Sequence, residues 1–174
     1  YATENWTNID EGVTFTVICG SDEQEVWHVS TSGSDNLGEG TQESPFKTIQ
    51  IGINASSSGN TVHVAAGTYV ENISFNGRNI SLYGEDRETT IIDGDSSGAV
   101  VSFINGESAN AVLSGFTITN GLRSNGGGIY VSESDPTLVD LIVKGNTTGT
   151  IGGQPSGGGV CLRYSSSTID NVIF

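Results

Sequence analysis

What the chain lacks narrows it first. It has no methionine, three prolines and two cysteines in 174 residues, and six basic residues stand against 20 acidic ones for a formal net charge of −14. No lysine or arginine precedes Lys47, whereas residues 1–44 carry nine carboxylates. Such a chain repels a phosphate backbone, which excludes a nucleic-acid partner. It also repels anionic polysaccharides as a class unless cations intervene. No apolar run approaches the ~18 residues of a membrane-spanning helix, so no membrane span is expected. The first residue is Tyr1, and the expectation is an exported product that has already lost its signal and works outside the cell or at its surface. Cys19 and Cys161 form no C-x-x-C and no Cys/His cluster with metal-ligand spacing. No cofactor and no metal site is expected. The acidic turns leave calcium as an option that no ligand spacing supports. His28 and His63 sit in strand-like alternations, VWHV and TVHV, and belong on an outer strand face.

Glycine, by contrast, is abundant at 25 residues, and it is patterned. GGGIYV at 126–131 and GGGVCL at 157–162 share an offset of 31. SDPTLVDLIV (134–143) falls on SSSTIDNVIF (165–174) at the same offset, and LSGFTITNG (113–121) falls on LVDLIVKGN (138–146) at an offset of 25. Leu113, Leu138 and Ile169 align in this way. An imperfect period of about 25 residues marks a solenoid. Each unit holds three short strands bounded by Gly, Ser, Asn and Asp. TVHV (61–64), VENISF (70–75) and NISLYG (79–84) make the first turn, and VIF (172–174) opens the last. Three short strands per coil, over about four coils, make a parallel β-helix. The glycine runs are its corners, where positive φ and close backbone approach are required. A phosphate-cradling loop is excluded, because no Lys-Ser/Thr follows the glycines and a strand comes next.

Two segments lie outside the coil. SPFKTIQIGINA (44–55) offers Ser44 as N-cap, Pro45 at the first helical position, and an apolar stripe of Phe46, Ile49 and Ile53. It predicts a short helix that caps the first coil. EGVTFTVICGS (11–21) reads as a separate strand, with Val13, Phe15 and Val17 alternating against threonines. The expected division is therefore 1–25 as a free strand segment, 26–60 as entry strand and capping helix, and 61–174 as β-helix.

The string WHVSTSGSDNLGEGTQESPFKTIQIGINASSSGNTVHVAAGTYVENISF, followed by GFTITNG, GGGIYV and PTL, resembles the secreted right-handed parallel β-helix proteins of the pectate-lyase-like superfamily. The resemblance covers roughly residues 26–174. It implies an all-β, right-handed parallel β-helix and export. It also implies a choice of polysaccharide lyase, glycoside hydrolase or surface protein without catalysis, which has to be settled from the site. A lyase of this kind combines a basic residue with calcium-binding acids. Arg78, Arg87, Arg123, Lys144 and Arg163 lie in different corners of the repeat, no two at equivalent positions, so no lyase motif carries over.

A glycosidase needs two carboxylates about 5–9.5 Å apart, a separation that acids on neighbouring coils, stacked about 4.8 Å apart, would provide. Asp140 aligns with Gly115 and Asn171 and has no acidic neighbour. Ser108 aligns with Glu133, leaving Glu107 one residue out of register. Glu107 and Glu133 are therefore the weak catalytic candidates. Asp93, Asp95 and Asp135 read as turn formers.

The ends carry a different expectation. NVIF opens a coil and places Ile173 and Phe174 at an unsealed edge. Together with the strand at 11–21 it predicts head-to-tail homopolymerisation by strand addition, a heterologous contact that builds an open filament. Val13, Phe15, Val17, Ile173 and Phe174 are the expected assembly residues. Cys19 and Cys161 lie too far apart within one chain for a disulfide and would bridge neighbouring copies. The alternatives are an N-terminal strand folded back along its own coil, or a chain that is part of a longer protein. Asn5, Asn54, Asn72, Asn79 and Asn146 open Asn-x-Ser/Thr triplets and are glycosylation candidates. The expected function is a structural or adhesive surface protein. The alternatives are a carbohydrate-active β-helix and a non-catalytic glycan-binding module, for which Tyr83, Tyr130 and Tyr164 are the aromatic candidates.

Overall fold

Val62, Leu82, Leu113, Leu138 and Ile169 stack one above the next in parallel register. The computed structural model describes residues 25–149 and 157–174, together with the backbone of strands β1 (Thr3–Thr7) and β2 (Thr14–Ile18). The stacked column belongs to a first sheet of β3 (Val26–Val29), β4 (Thr61–Val64), β7 (Ser81–Gly84) and the N-terminal halves of β10 (Val112–Thr119), β12 (Thr137–Val143) and β14 (Thr168–Ile173). A second face is made by β5 (Gly67–Val70), β8 (Thr90–Asp93) and the C-terminal halves of β10, β12 and β14. The third sheet contains β6 (Ile73–Ser74), β9 (Val101–Phe103), β11 (Ile129–Ser132) and β13 (Val160–Arg163). The chain is thus a right-handed parallel β-helix with three faces per coil.

Parallel strands closed around a core bury the inner residue of every pair. Ile92 and Ile118 fill the second face and Ile129 and Val131 the third, all with no exposed surface. Phe75 and Phe103 pack ring against ring at 4.2 Å between centroids. The coil length varies. Along the stacked column it advances by 20, 31, 25 and 31 residues, so 25 is one of several coil lengths. The segment 70–75 is not one strand. It breaks at Asn72, whose side-chain amide donates to the carbonyls of Ser97 and Ala99, so that β5 pairs with β8 and β6 with β9.

The glycine runs lie on top of each other. The Gly126 amide donates to the Gly157 carbonyl at 2.8 Å, and both residues hold positive φ. β10, β12 and β14 bend from the first face to the second without a break because Gly115, Asp140 and Asn171, stacked at one corner, all sit in the left-handed region. Among side chains, Asp and Asn tolerate that region best after glycine.

The capping helix is shorter than the sequence predicts. α1 spans Ile49–Ala55, with Ile49 and Ile53 fully buried. Ser44 and Pro45 lie outside it because the chain there is held to β3 and the loop after it: the Phe46 amide donates to the His28 carbonyl, and the Ser34 amide to the Pro45 carbonyl. Phe46 stacks on Trp27 at 5.8 Å. The helix is capped by a distant residue. The carboxylate of Glu71 accepts the Ile49 and Gln50 amides at 2.8 and 3.0 Å.

The N-terminal strand is not free either. β2 pairs antiparallel with β1, with Trp6 opposite Phe15 and Glu4 opposite Val17, in a two-stranded sheet of its own. Val13 and Cys19 lie outside the described residues, as do the side chains of Phe15 and Val17.

Candidate functional site

The third sheet fixes where the two candidate carboxylates stand. Val101 is level with Ile129, an offset of 28. Glu107 therefore lies beside Asp135, whose amide donates to the Glu107 carbonyl at 2.7 Å. The expected alignment of Ser108 with Glu133 is displaced, because the loops between faces differ in length from coil to coil. Glu107 is 1% exposed. Its carboxylate accepts the Gly77 amide at 2.8 Å, the Asn105 amide at 2.9 Å and the Ser134 hydroxyl at 2.8 Å. Glu133 is exposed at a left-handed corner. This arrangement ties three loops together.

The outer face of the first sheet is different. His28, His63 and Tyr83 stand on successive strands in one outward column. The two imidazoles lie 6.1 Å apart between centroids, and Tyr83 is 38% exposed. Beside them opens a groove of about 570 Å³, lined by the two histidines, Ser30, Gln42, Glu43 and Glu85, a volume in the range of small-molecule sites. Glu85 is held there by accepting the Ala66 amide at 2.9 Å. The sequence placed both histidines on an outer face. The groove itself is formed by the loop over 30–45 and the turn after β7, and no local pattern brings these together. Near it, Tyr69 is pushed up to about 12 by burial and donates to the Ala65 carbonyl, so it carries no proton chemistry near neutrality.

Tyr130 and Tyr164 lie elsewhere, on and just after the third sheet. Arg123 covers the Tyr130 ring with its Cζ 3.5 Å from the centroid, and Arg163 approaches the Tyr164 ring at 5.7 Å. Arg87 instead pairs with Asp140 at 2.9 Å, and Arg78 donates to the carbonyls of Ser56 and Asn54. Among the described residues no group of three or more His, Cys, Asp or Glu side chains is placed to hold a metal ion.

Three of the glycosylation candidates are engaged by the coil. The Asn72 amide bonds two carbonyls, the Asn146 amide donates to the Ile118 carbonyl, and Asn79 accepts from Ser108. A glycan on Asn72 or Asn146 would break those bonds. Asn54 is exposed, with its Oδ1 accepting from Gln50. The Asn5 side chain lies outside the described residues. At the C-terminal end of the coil, Leu162, Ile169, Ile173 and Phe174 are 39–72% exposed, and Cys161 carries a free thiol in β13.

A family described as a protein of unknown function (DUF1565) matches residues 31–76, the entry loop, the cap and the first coil. No curated protein matches the chain. A solved structure of a pectin methylesterase variant, in complex with a hexasaccharide, is similar with a TM-score of 0.56 and 18% identity. The match covers 88% of this chain and 49% of that one, so the chain spans about half the length of that protein. At this identity the likeness is one of architecture alone: the chain is a right-handed parallel β-helix.

Proposed function

We propose that this chain is an extracellular β-helix that binds an uncharged glycan, without cleaving it, along the outer face of its first sheet. The observation that carries this reading is the outward column in which His28 and His63 line the groove with Gln42, Glu43 and Glu85 and Tyr83 stands on the next rung. Flat rings on successive rungs match the flat faces of successive sugars, and the amide and carboxylates accept or donate to hydroxyls. A net charge of −14 favours a neutral polymer over an acidic one at this site. Binding without cleavage is favoured because Glu107, the buried candidate acid, is held by two backbone amides and a hydroxyl. The test is calorimetry against neutral oligosaccharides. His63→Ala and Tyr83→Ala are both expected to weaken binding by roughly tenfold, the loss of one stacking or hydrogen-bonding partner. No binding by the unaltered chain to any neutral glycan overturns the reading.

A second reading, a structural or adhesive homopolymer, is favoured by one observation: the apolar end presented by Leu162, Ile169, Ile173 and Phe174 beside the outermost strands β13 and β14. A second copy pairing there would extend the coil head to tail.

A further inference from the structure

Asparagine is followed by glycine at four places, Asn76–Gly77, Asn105–Gly106, Asn120–Gly121 and Asn125–Gly126. The corners of the coil ask for this pairing. Asn76 and Asn120 hold φ of 52° and 56°, and Gly77, Gly106 and Gly126 hold 76°, 77° and 66°, a region that these two residue types enter at least cost. The same dipeptide is chemically fragile. With no Cβ to obstruct it, the glycine amide nitrogen loses its proton and attacks the side-chain carbonyl carbon of the asparagine before it. The new C–N bond closes a succinimide ring, the side-chain nitrogen leaves with the proton as ammonia, and water reopens the ring to aspartate or isoaspartate. Isoaspartate lengthens the main chain by one carbon, which a corner stacked on the next coil has no room to absorb.

In the folded chain all four attacking nitrogens are engaged elsewhere. The Gly77 amide donates to Oε1 of Glu107 at 2.8 Å, and the Gly106 amide to Oγ of Ser134 at 3.2 Å. The Gly121 amide donates to Oδ1 of Asn146 at 2.8 Å, and the Gly126 amide to the Gly157 carbonyl at 2.8 Å. An amide whose hydrogen is aimed at an acceptor on another coil must break that bond before it can turn on its own asparagine, so cyclisation waits for a local opening.

Two of the four linkages depend on one carboxylate. Glu107 accepts Gly77 directly, and it accepts the hydroxyl of Ser134, whose oxygen accepts Gly106. Asn76 and Asn105 are exposed to water, whereas Glu107 is buried. Its charge acts in the same direction as its hydrogen bonds. The attacking species is an amide anion, and beside Gly77 it would form against a fixed negative charge that burial leaves poorly screened.

We infer that Glu107 protects two Asn–Gly linkages from deamidation, Asn76–Gly77 by its own bond and Asn105–Gly106 through Ser134. Asn105 is the modification site that reacts first, because Gly106 is held only by a neutral hydroxyl, a weaker acceptor than a carboxylate. This role rests on the stacking of the coils and is independent of the His28–His63 groove.

The test is peptide mapping by mass spectrometry of aspartate and isoaspartate at each linkage, after incubation of the full chain at mildly alkaline pH, folded and in urea. All four linkages should react in urea. In the folded chain all four should be slowed, with Asn105 ahead of the other three. Ser134→Ala should speed Asn105 alone, by roughly tenfold, the increase in open population that loss of one hydrogen bond permits. Glu107→Ala should speed both Asn76 and Asn105 by at least as much and leave Asn120 and Asn125 slow. These last two separate local protection from general stability, since a variant that merely unfolds more often speeds all four together, and that result overturns the inference. So does a folded, unaltered chain in which Asn76 and Asn105 react as fast as in urea, or a Glu107→Ala chain in which they stay slow. Ser134→Ala leaves Gly77 its carboxylate, so an unchanged Asn105 in that variant overturns the link through Ser134 even where Glu107→Ala disturbs the fold.

Discussion

A carboxylate withdrawn from water must find its hydrogen bonds inside the protein, and Glu107 finds three. They come from Gly77 on the coil before, from Asn105 in its own loop and from Ser134 on the coil after. Replacing Glu107 with Ala strands two amides and a hydroxyl, and urea denaturation should show a loss of about 2–4 kcal/mol. Glu107→Gln, which keeps an acceptor, should lose less. A surface acid, by contrast, would show almost no change on Glu107→Ala. The sequence singled out Glu107 as a carboxylate beside a repeat, but the strand pattern gave no sign of its direction. Alignment supplies register, whereas burial depends on which loop crosses above the side chain. The corner at Gly115, Asp140 and Asn171 was more legible. These are the three residue types that best tolerate positive φ, and the alignment had already stacked them. Its further use emerges only in three dimensions, where Arg87 reaches over the glycine to Asp140 and Asn171 donates to the same carboxylate oxygen.

The seven-residue helix α1 illustrates how one element depends on another. A helix of that length does not hold by itself in water. It is fixed by Ile49 and Ile53 in the core and by Glu71, some twenty residues later, which accepts its first two amides. Glu71 is raised above the ordinary carboxylate range, mainly by burial and against the pull of those amides. The sign follows from linkage. A carboxylate that binds its proton more readily folded than unfolded contributes stability that is present below its ordinary value and lost as pH rises through its folded value. Glu71→Gln should flatten that part of the stability-versus-pH profile, measured by thermal melts between mildly acidic and neutral pH. Glu71→Ala should in addition cost roughly 1 kcal/mol through the lost cap. An unchanged profile for Glu71→Gln would place the slope on another group. Local pattern at 44–55 recognised the helix but misplaced its start, since the pairing of Phe46 with β3 and the cap from Glu71 are both long-range.

Stacked coils pass their edge from one rung to the next, and in this chain α1 packs at the β3 end of the stack while β13 and β14 are the last of the described strands in their sheets. If a second copy adds there, light scattering and negative-stain microscopy should show particles longer than one chain. Phe174→Asp should shorten them by placing a charge at the apolar junction, and reductant should shorten them further if Cys161 is bridged. A monodisperse monomer, oxidised or reduced, would reject the homopolymer. The pairing of β2 with β1 bears on this: a donor strand would first have to leave a partner with five residues in register.

The fold was determined almost entirely by the sequence itself. Short apolar strands, glycine and asparagine corners and a recurring offset admit one architecture, because each coil can bury its inner residues only against a copy of itself. The outward columns were likewise implied once His28 and His63 were placed on strands. What the tertiary structure alone decided was which outer residues share a surface. Loops of unequal length moved the third-sheet register, turned Glu107 inward, brought Gln42 and Glu85 to one groove, and laid Arg123 across Tyr130. Repeats dictate stacking because it is periodic, and sites escape them because the insertions that build them are not.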